Sequence, residues 1–289
     1  MKRVAFERTG SRNWQACASL LGVLALLASS AFVPTMALAQ IASTKHNLGT
    51  TNTIGGANVF SGTSEICVFC HTPHGGDTSA AVPLWNRTLA APATYTTYDS
   101  LGTSTLDGKT LPVGSVSIAC LSCHDGVQAM NSVINAPGSG FAGDAAWLAG
   151  TWSGTRQSGG KINSTSAALL GTDLRNDHPI GIQYCGGGYT VASGTGTCAD
   201  PDFNAPNSAT IGSGKVFWVD TVGGTAGREK TDMILYNRTG TFNSGGLADA
   251  GGEPFVECAS CHDPHTNAQP TFLRTSNTGS RVCLACHVK

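Results

Sequence analysis

Glu257-Cys258-Ala259-Ser260-Cys261-His262-Asp263-Pro264-His265 and Arg281-Val282-Cys283-Leu284-Ala285-Cys286-His287 carry two C-x-x-C-H units in close succession. The same unit stands earlier in the 289-residue chain as Cys67-Val68-Phe69-Cys70-His71 and Cys120-Leu121-Ser122-Cys123-His124. C-x-x-C-H is the attachment signature of heme c. Two thiols separated by two residues can both bond one edge of a porphyrin, and the next side chain then falls beneath the ring centre, where imidazole reaches iron. Zinc sites also use C-x-x-C pairs, but they need no histidine directly behind the second cysteine. With eight histidines in the chain, four such coincidences have a chance of about one in a million. A disulfide framework is set aside because two-residue spacing suits redox-active rather than structural bridges. Four covalently bound hemes c are expected, on Cys67, Cys70, Cys120, Cys123, Cys258, Cys261, Cys283 and Cys286.

His71, His124, His262 and His287 supply one ligand to each iron. The other four histidines, His46, His74, His178 and His265, match the number of distal positions, so all eight are expected to be metal ligands. Outside the first 39 residues the methionines are Met130 and Met233, neither near a motif. Bis-histidine ligation is therefore the simplest reading, and it implies low reduction potentials. His74 follows His71 by three residues, across Pro73, and His265 follows His262 by three, across Pro264. Two histidines on opposite faces of one heme hold their Cα atoms about 12–13 Å apart, whereas three residues span at most about 10–11 Å. Neither can cap its own heme, so each is expected to cap a neighbour. The expected pairing is His74 with the second heme, His265 with the fourth, His46 with the first and His178 with the third. A swap among these, or donation from another subunit, stays open.

Residues 1–39 read as an export signal. Lys2, Arg3, Arg8 and Arg12 precede an apolar run from Leu20 to Val33, and Ala37-Leu38-Ala39 follows as a cleavage pattern. The run is too short to span a bilayer. Loss of this segment removes four basic residues and one acid, moving the formal charge from −1 to −4. No basic patch of the kind nucleic acid requires remains. Export implies an oxidising compartment, so Cys185 and Cys198, which flank Gly186-Gly187-Gly188, are expected to close a disulfide, against two free thiols.

Charged residues make up only 12% of the chain, aromatic residues 7%, and there are 37 glycines. Few large apolar side chains are available for a core, and porphyrin surface is expected to substitute. The fold class is a multiheme cytochrome c: mostly irregular chain, with short helices at the heme motifs and a few short strands. An N-terminal diheme region spans 40–135, a heme-free Gly/Ser/Thr-rich insertion 136–256, and a C-terminal doubled C-x-x-C-H region 257–289. Within the insertion, Val216-Phe217-Trp218-Val219 and Met233-Ile234-Leu235-Tyr236 alternate as strands of a hairpin would.

Lys45-His46-Asn47-Leu48, Cys70-His71-Thr72-Pro73-His74-Gly75, Pro83-Leu84-Trp85-Asn86-Arg87, Cys123-His124-Asp125-Gly126, Asp177-His178-Pro179-Ile180-Gly181 and the terminal doubled motif occur in this order. Together they resemble bacterial multiheme cytochromes of the doubled C-x-x-C-H type, and among these the tetraheme outer-surface cytochromes of the OmcE-like, filament-forming type. The resemblance implies a homopolymer with a continuous heme stack that conducts electrons to acceptors outside the cell. It also implies one distal histidine donated by the adjacent subunit, with His46 the first candidate and His178 the second.

Three functions are weighed. The first is an electron conduit, extracellular or on the outer surface, whose partners are its own copies, redox cytochromes of the cell envelope and an extracellular acceptor. The second is a soluble periplasmic shuttle. The third is a catalytic reductase, which needs an open iron position and convergent acid–base groups. Eight histidines for four irons leave no open position, so no enzyme activity is expected.

Overall fold

In every C-x-x-C-H segment the backbone closes one helical turn. His71 N–H donates to Cys67 O (2.7 Å), His262 N–H to Cys258 O (3.2 Å) and His287 N–H to Cys283 O (2.9 Å). The bond is of the i→i+4 kind, so each histidine stands one turn beyond its first cysteine. The second motif ends a longer helix. The computed structural model describes residues 40–138, 143–221, 227–238 and 252–288. The expected export signal at 1–39 lies outside the described residues.

In chain order, a short strand β1 (Val59–Phe60) precedes a 3-10 turn at Cys67–Phe69. Helix α1 (Ser115–His124) carries the second motif, and α2 is the single turn Ala145–Leu148. Four two-residue strands follow: β2 (Trp152–Ser153), β3 (Gln157–Ser158), β4 (Lys161–Ile162) and β5 (Ile182–Gln183). The longer strands are β6 (Asn207–Ile211), β7 (Gly214–Val219), β8 (Met233–Arg238) and β9 (Glu253–Val256). Helices α3 (Cys258–Cys261) and α4 (Arg281–Cys286) hold the last two motifs. Among the described residues no helix is long and apolar enough to cross a membrane.

β7 and β8 are antiparallel neighbours, with Phe217 opposite Leu235 and Trp218 opposite Ile234, as the alternation leads one to expect. The sheet is larger than that pair. Its five strands run in the order β5-β9-β8-β7-β6, all antiparallel. β6 joins β7 through Gly212 and Ser213, where Gly212 takes φ +62°, a conformation that costs glycine nothing. The sheet thus reorganises much of the segment expected to be loop.

Successive strand residues point to opposite faces, and the two faces of this sheet meet different heme motifs. Phe217, Val219, Met233 and Leu235 pack with Tyr184, Tyr189 and Ala285, against Cys261 and Cys286. Ile234 and Tyr236 face the other way, onto Val116 of α1 and Ala259 of α3. Two further cores surround the first motifs. One gathers Trp85, Tyr95, Val113, Ile118, Leu121 and Leu174, the other Phe60, Phe69, Met130 and Trp147. The apolar residues are few, but they are concentrated where the cysteine pairs emerge.

Polar groups fix the joint between the sheet and α1. Arg238 Nη1 reaches Glu257 Oε1 at 2.9 Å, with both side chains fully buried. Glu257 Oε2 accepts from Ser117 of α1 at 2.5 Å. Glu257 also caps α3, its N–H donating to Ser260 Oγ at 3.0 Å. Burial pushes the Glu257 carboxyl up to about 7, against the pull of Arg238.

Cys185 and Cys198 form a disulfide with a sequence separation of 13. Closing a loop of this length removes about 3 kcal/mol of chain entropy from the unfolded state. Replacing both cysteines by serine should therefore lower the unfolding free energy of the heme-loaded protein by about 2–3 kcal/mol. A urea melt followed in the far ultraviolet measures it; an unchanged midpoint contradicts the assignment.

Candidate heme-binding centre

None of the eight C-x-x-C-H cysteines is bridged to another. They nevertheless gather from motif to motif: Cys70 and Cys123 pack against one core, and Cys261 and Cys286 against another. Burial, and then the neighbouring Cys123 thiol, push Cys70 up to about 12. Cys120 is raised by its hydrogen bond with Cys258 and by burial. Burial raises Cys261 to about 11, with Cys258 and Cys283 adding to it, and raises Cys286 to about 12, with Cys261 next in effect. The first motif therefore adjoins the second, the second the third, and the third the fourth. The contact between Cys120 and Cys258 joins what the sequence spacing separates into two diheme regions.

The histidines are oriented as metal ligands are. His71 Nδ1 lies 2.8 Å from Pro83 O, His124 Nδ1 2.8 Å from Ala168 O, and His262 Nδ1 2.8 Å from Thr271 O. A carbonyl can only accept, so Nδ1 carries the proton and Nε2 keeps its lone pair. His178 Nδ1 makes the same bond to Pro179 O at 3.0 Å. His265 Nδ1 faces Asp263 Oδ1 at 3.2 Å. His46 is held down to about 4, first by desolvation and next by His124, while the Pro264 carbonyl works the other way. Desolvation also lowers His124. Both rings are thus neutral, the form that binds iron.

Two pairs of rings stand at the separation an iron requires. With Fe–N bonds of about 2 Å, imidazoles on opposite faces of one iron have centroids about 6.3 Å apart. His71 and His265 are 6.3 Å apart, and His124 and His46 are 6.0 Å apart. The residues present therefore fit heme c: paired thiols one turn before an imidazole, with a second imidazole at iron-bridging distance from His71 and from His124. Trp85 agrees with this, since its buried Nε1 has no hydrogen-bond partner and its ring stands edge-on to His71. A heme carboxylate is a fitting acceptor there.

These pairings differ from those expected from spacing. His265 faces the first motif, not the fourth, and His46 faces the second, not the first. The cause is a long-range contact. Asn267 Nδ2 donates to Ser43 O at 2.9 Å, laying the 263–267 loop along the N-terminal segment. Phe272 then stacks on His46 at 4.3 Å. Desolvation lowers His178, with the charge of His287 in the fourth motif adding to it, and its ring meets no other aromatic ring among the described residues. His74 is exposed, and its ring meets no other aromatic ring among the described residues. No imidazole stands opposite His262, nor opposite His287, at the separation of those two pairs among the described residues.

The first and third motifs are built on one plan that the sequence alone does not display. Thr72 N–H donates to Leu84 O and Asn86 N–H to Cys70 O, both 2.9 Å. Asp263 N–H donates to Phe272 O and Arg274 N–H to Cys261 O, both 2.8 Å. Leu84 and Phe272 both adopt left-handed backbone, at φ 54° and 62°. Only the backbone geometry reveals the match, because the side chains of Leu84-Trp85-Asn86 and Phe272-Leu273-Arg274 share little.

Residues 252–289 match the family model of the doubled CXXCH motif. That match supports a multiheme c-type cytochrome, with covalently bound heme c and electron transfer as its work. No curated protein matches the chain.

The pairing is directly testable. His265→Ala should convert one low-spin iron to a high-spin, carbon monoxide-binding one. Paramagnetic NMR should place that centre beside Trp85 and His71. A new centre beside Phe203 and His287 would contradict the ring distances.

Proposed function

We propose that the chain is a tetraheme electron conduit, exported to the cell surface or beyond, whose copies join into a conducting filament. The observation that carries this reading is the contiguity of the four motifs: Cys70 and Cys123 pack on one core, α1 rests on α3 with Cys258 N–H donating to Ser117 Oγ, and Cys261 and Cys286 pack on another core. Each bound heme supplies a one-electron iron couple. The protein residues attach the four porphyrins in chain order, hold paired imidazoles toward the irons of His71 and His124, bring His178 beside His287, and leave the iron of His262 to be completed by the next copy, so that the assembled filament has no coordination position for a substrate. It is not an enzyme on this reading. Its partners are other copies of itself, redox cytochromes of the cell envelope and an extracellular electron acceptor.

The joint between copies is supported by what the repeated plan leaves over. Within one chain, the loop of the third motif delivers His265 to the iron of His71 and lays Phe272 on His46. The equivalent loop of the first motif presents an exposed His74 and a Leu84 that is 48% exposed. At the other end, His262 lacks an opposing imidazole. Docking the His74 loop of one copy on the His262 end of the next repeats the contact already made within the chain. His74 then takes the part that His46 and His178 were expected to play, since each of those lies beside a histidine of its own chain.

Heme-loaded protein should form micrometre-long fibres, and intact mass should show four added hemes per chain. His74→Ala should abolish the fibres and leave a tetraheme monomer with one high-spin iron. A wild-type protein that stays a monodisperse monomer with four low-spin hemes would instead favour a periplasmic shuttle.

A further inference from the structure

Two arginines are fully buried among the described residues, and the fold treats them differently. Arg238 is neutralised by Glu257. Arg87 has no carboxylate partner among the described residues. Its Nε donates to Ser122 Oγ at 3.1 Å, its Nη1 to Met130 O at 2.8 Å, and its Nη2 to Ser122 O at 2.8 Å and Ala129 O at 3.0 Å. All four acceptors are neutral. A guanidinium does not deprotonate in a protein, so the interior holds a whole positive charge that hydrogen bonds solvate but do not cancel.

That charge sits between the first two heme attachments. Ser122 lies inside the second motif, between Cys120 and Cys123. Asn86, next to Arg87 in sequence, donates its N–H to Cys70 O at 2.9 Å and its Nδ2 to Val68 O at 2.7 Å, inside the first. The field of Arg87 reaches both sites, favouring the anionic form at Cys70 and at Cys123. At Cys123 it is opposed by Asp125, a buried carboxylate that accepts from Tyr95 at 3.0 Å. At the first site the opposing carboxylate is more remote from Arg87: Asp263, whose Oδ1 stands 3.2 Å from Nδ1 of His265. Near the third motif, Arg274 faces Cys261 but is only half-buried, donating to Ala259 O and Lys230 O, where water screens it.

Reduction of a ferric heme adds one electron and removes one positive charge from the site. A fixed cation in a medium of low dielectric favours the reduced form, and the interaction grows as water is excluded. We infer that Arg87 raises the reduction potentials of the heme on Cys67 and Cys70 and of the heme on Cys120 and Cys123, so that an electron in the chain comes to rest on one of these two. The inference rests on the tetraheme reading above and adds a direction to it.

Spectroelectrochemical titration of the heme-loaded protein tests it. In Arg87→Gln, one heme should lose at least tenfold in its reduction equilibrium, a fall of 59 mV for a one-electron couple, with a smaller fall at a second heme and none at the other two. Arg87→Lys should restore both values, which a purely structural role would not require. Potentials that stay in place, or four that fall together, overturn the inference. If Arg87→Gln does not mature, the wild type decides: with one electron per chain, paramagnetic NMR should show the diamagnetic heme beside His71 or His124, and a diamagnetic heme beside His262 or His287 overturns the proposal. Intact mass on the same samples separates the two levels of the argument. Fewer than four hemes defeats the tetraheme reading, whereas four hemes with unmoved potentials defeats only the role of Arg87.

Discussion

An iron held by two imidazoles fixes the distance between two stretches of chain at about 6 Å, measured ring to ring. In this protein the rings that stand at that distance come from stretches far apart in sequence. His46 meets His124, and His71 meets His265. The second contact ties the N-terminal heme motif to the C-terminal doubled motif, so the polypeptide cannot be two independent diheme modules. The rest of the fold serves that closure. The sheet presents one face to the last motifs and the other to α1, and Glu257 locks α1 to α3 through Ser117 and Arg238. Porphyrin attachment and apolar packing therefore act at the same places. Metal and heme binding of this kind is coupled to folding, because the sites do not exist in the unfolded chain.

The chemistry of attachment was legible in the sequence because it is local. C-x-x-C-H closes within a single helical turn, and no distant residue is needed to read it. The β7 and β8 pairing was legible for the same reason: alternation in Val216–Val219 and Met233–Tyr236 survives in any context that buries both faces. The Cys185 and Cys198 pair was limited to one partner each once the heme cysteines were set aside.

The partners of the distal histidines were not legible. Spacing excludes His74 and His265 from their own irons, yet it does not rank the remaining choices. The deciding contact, Asn267 on Ser43, joins residues at opposite ends of the chain and involves side chains of no special composition. The repeated plan of the first and third motifs was hidden because it resides in backbone bonds and in the left-handed turns at Leu84 and Phe272, while the side chains diverge. The edge strands β5 and β6 and the interior strand β9 were missed because Ile182–Gln183 is too short to show alternation, Asn207–Ile211 is largely polar and Glu253–Val256 contains Pro254, so strand formation there follows from pairing with neighbouring strands rather than from local preference.

The central claim is that axial ligation, not the order of motifs, determines how the chain closes on itself. A cryo-EM map of the heme-loaded protein that resolves the imidazoles at each iron tests it most directly. The account predicts His265 opposite His71 and His46 opposite His124. A map with His46 on the iron of His71, or His265 on the iron of His287, would contradict it.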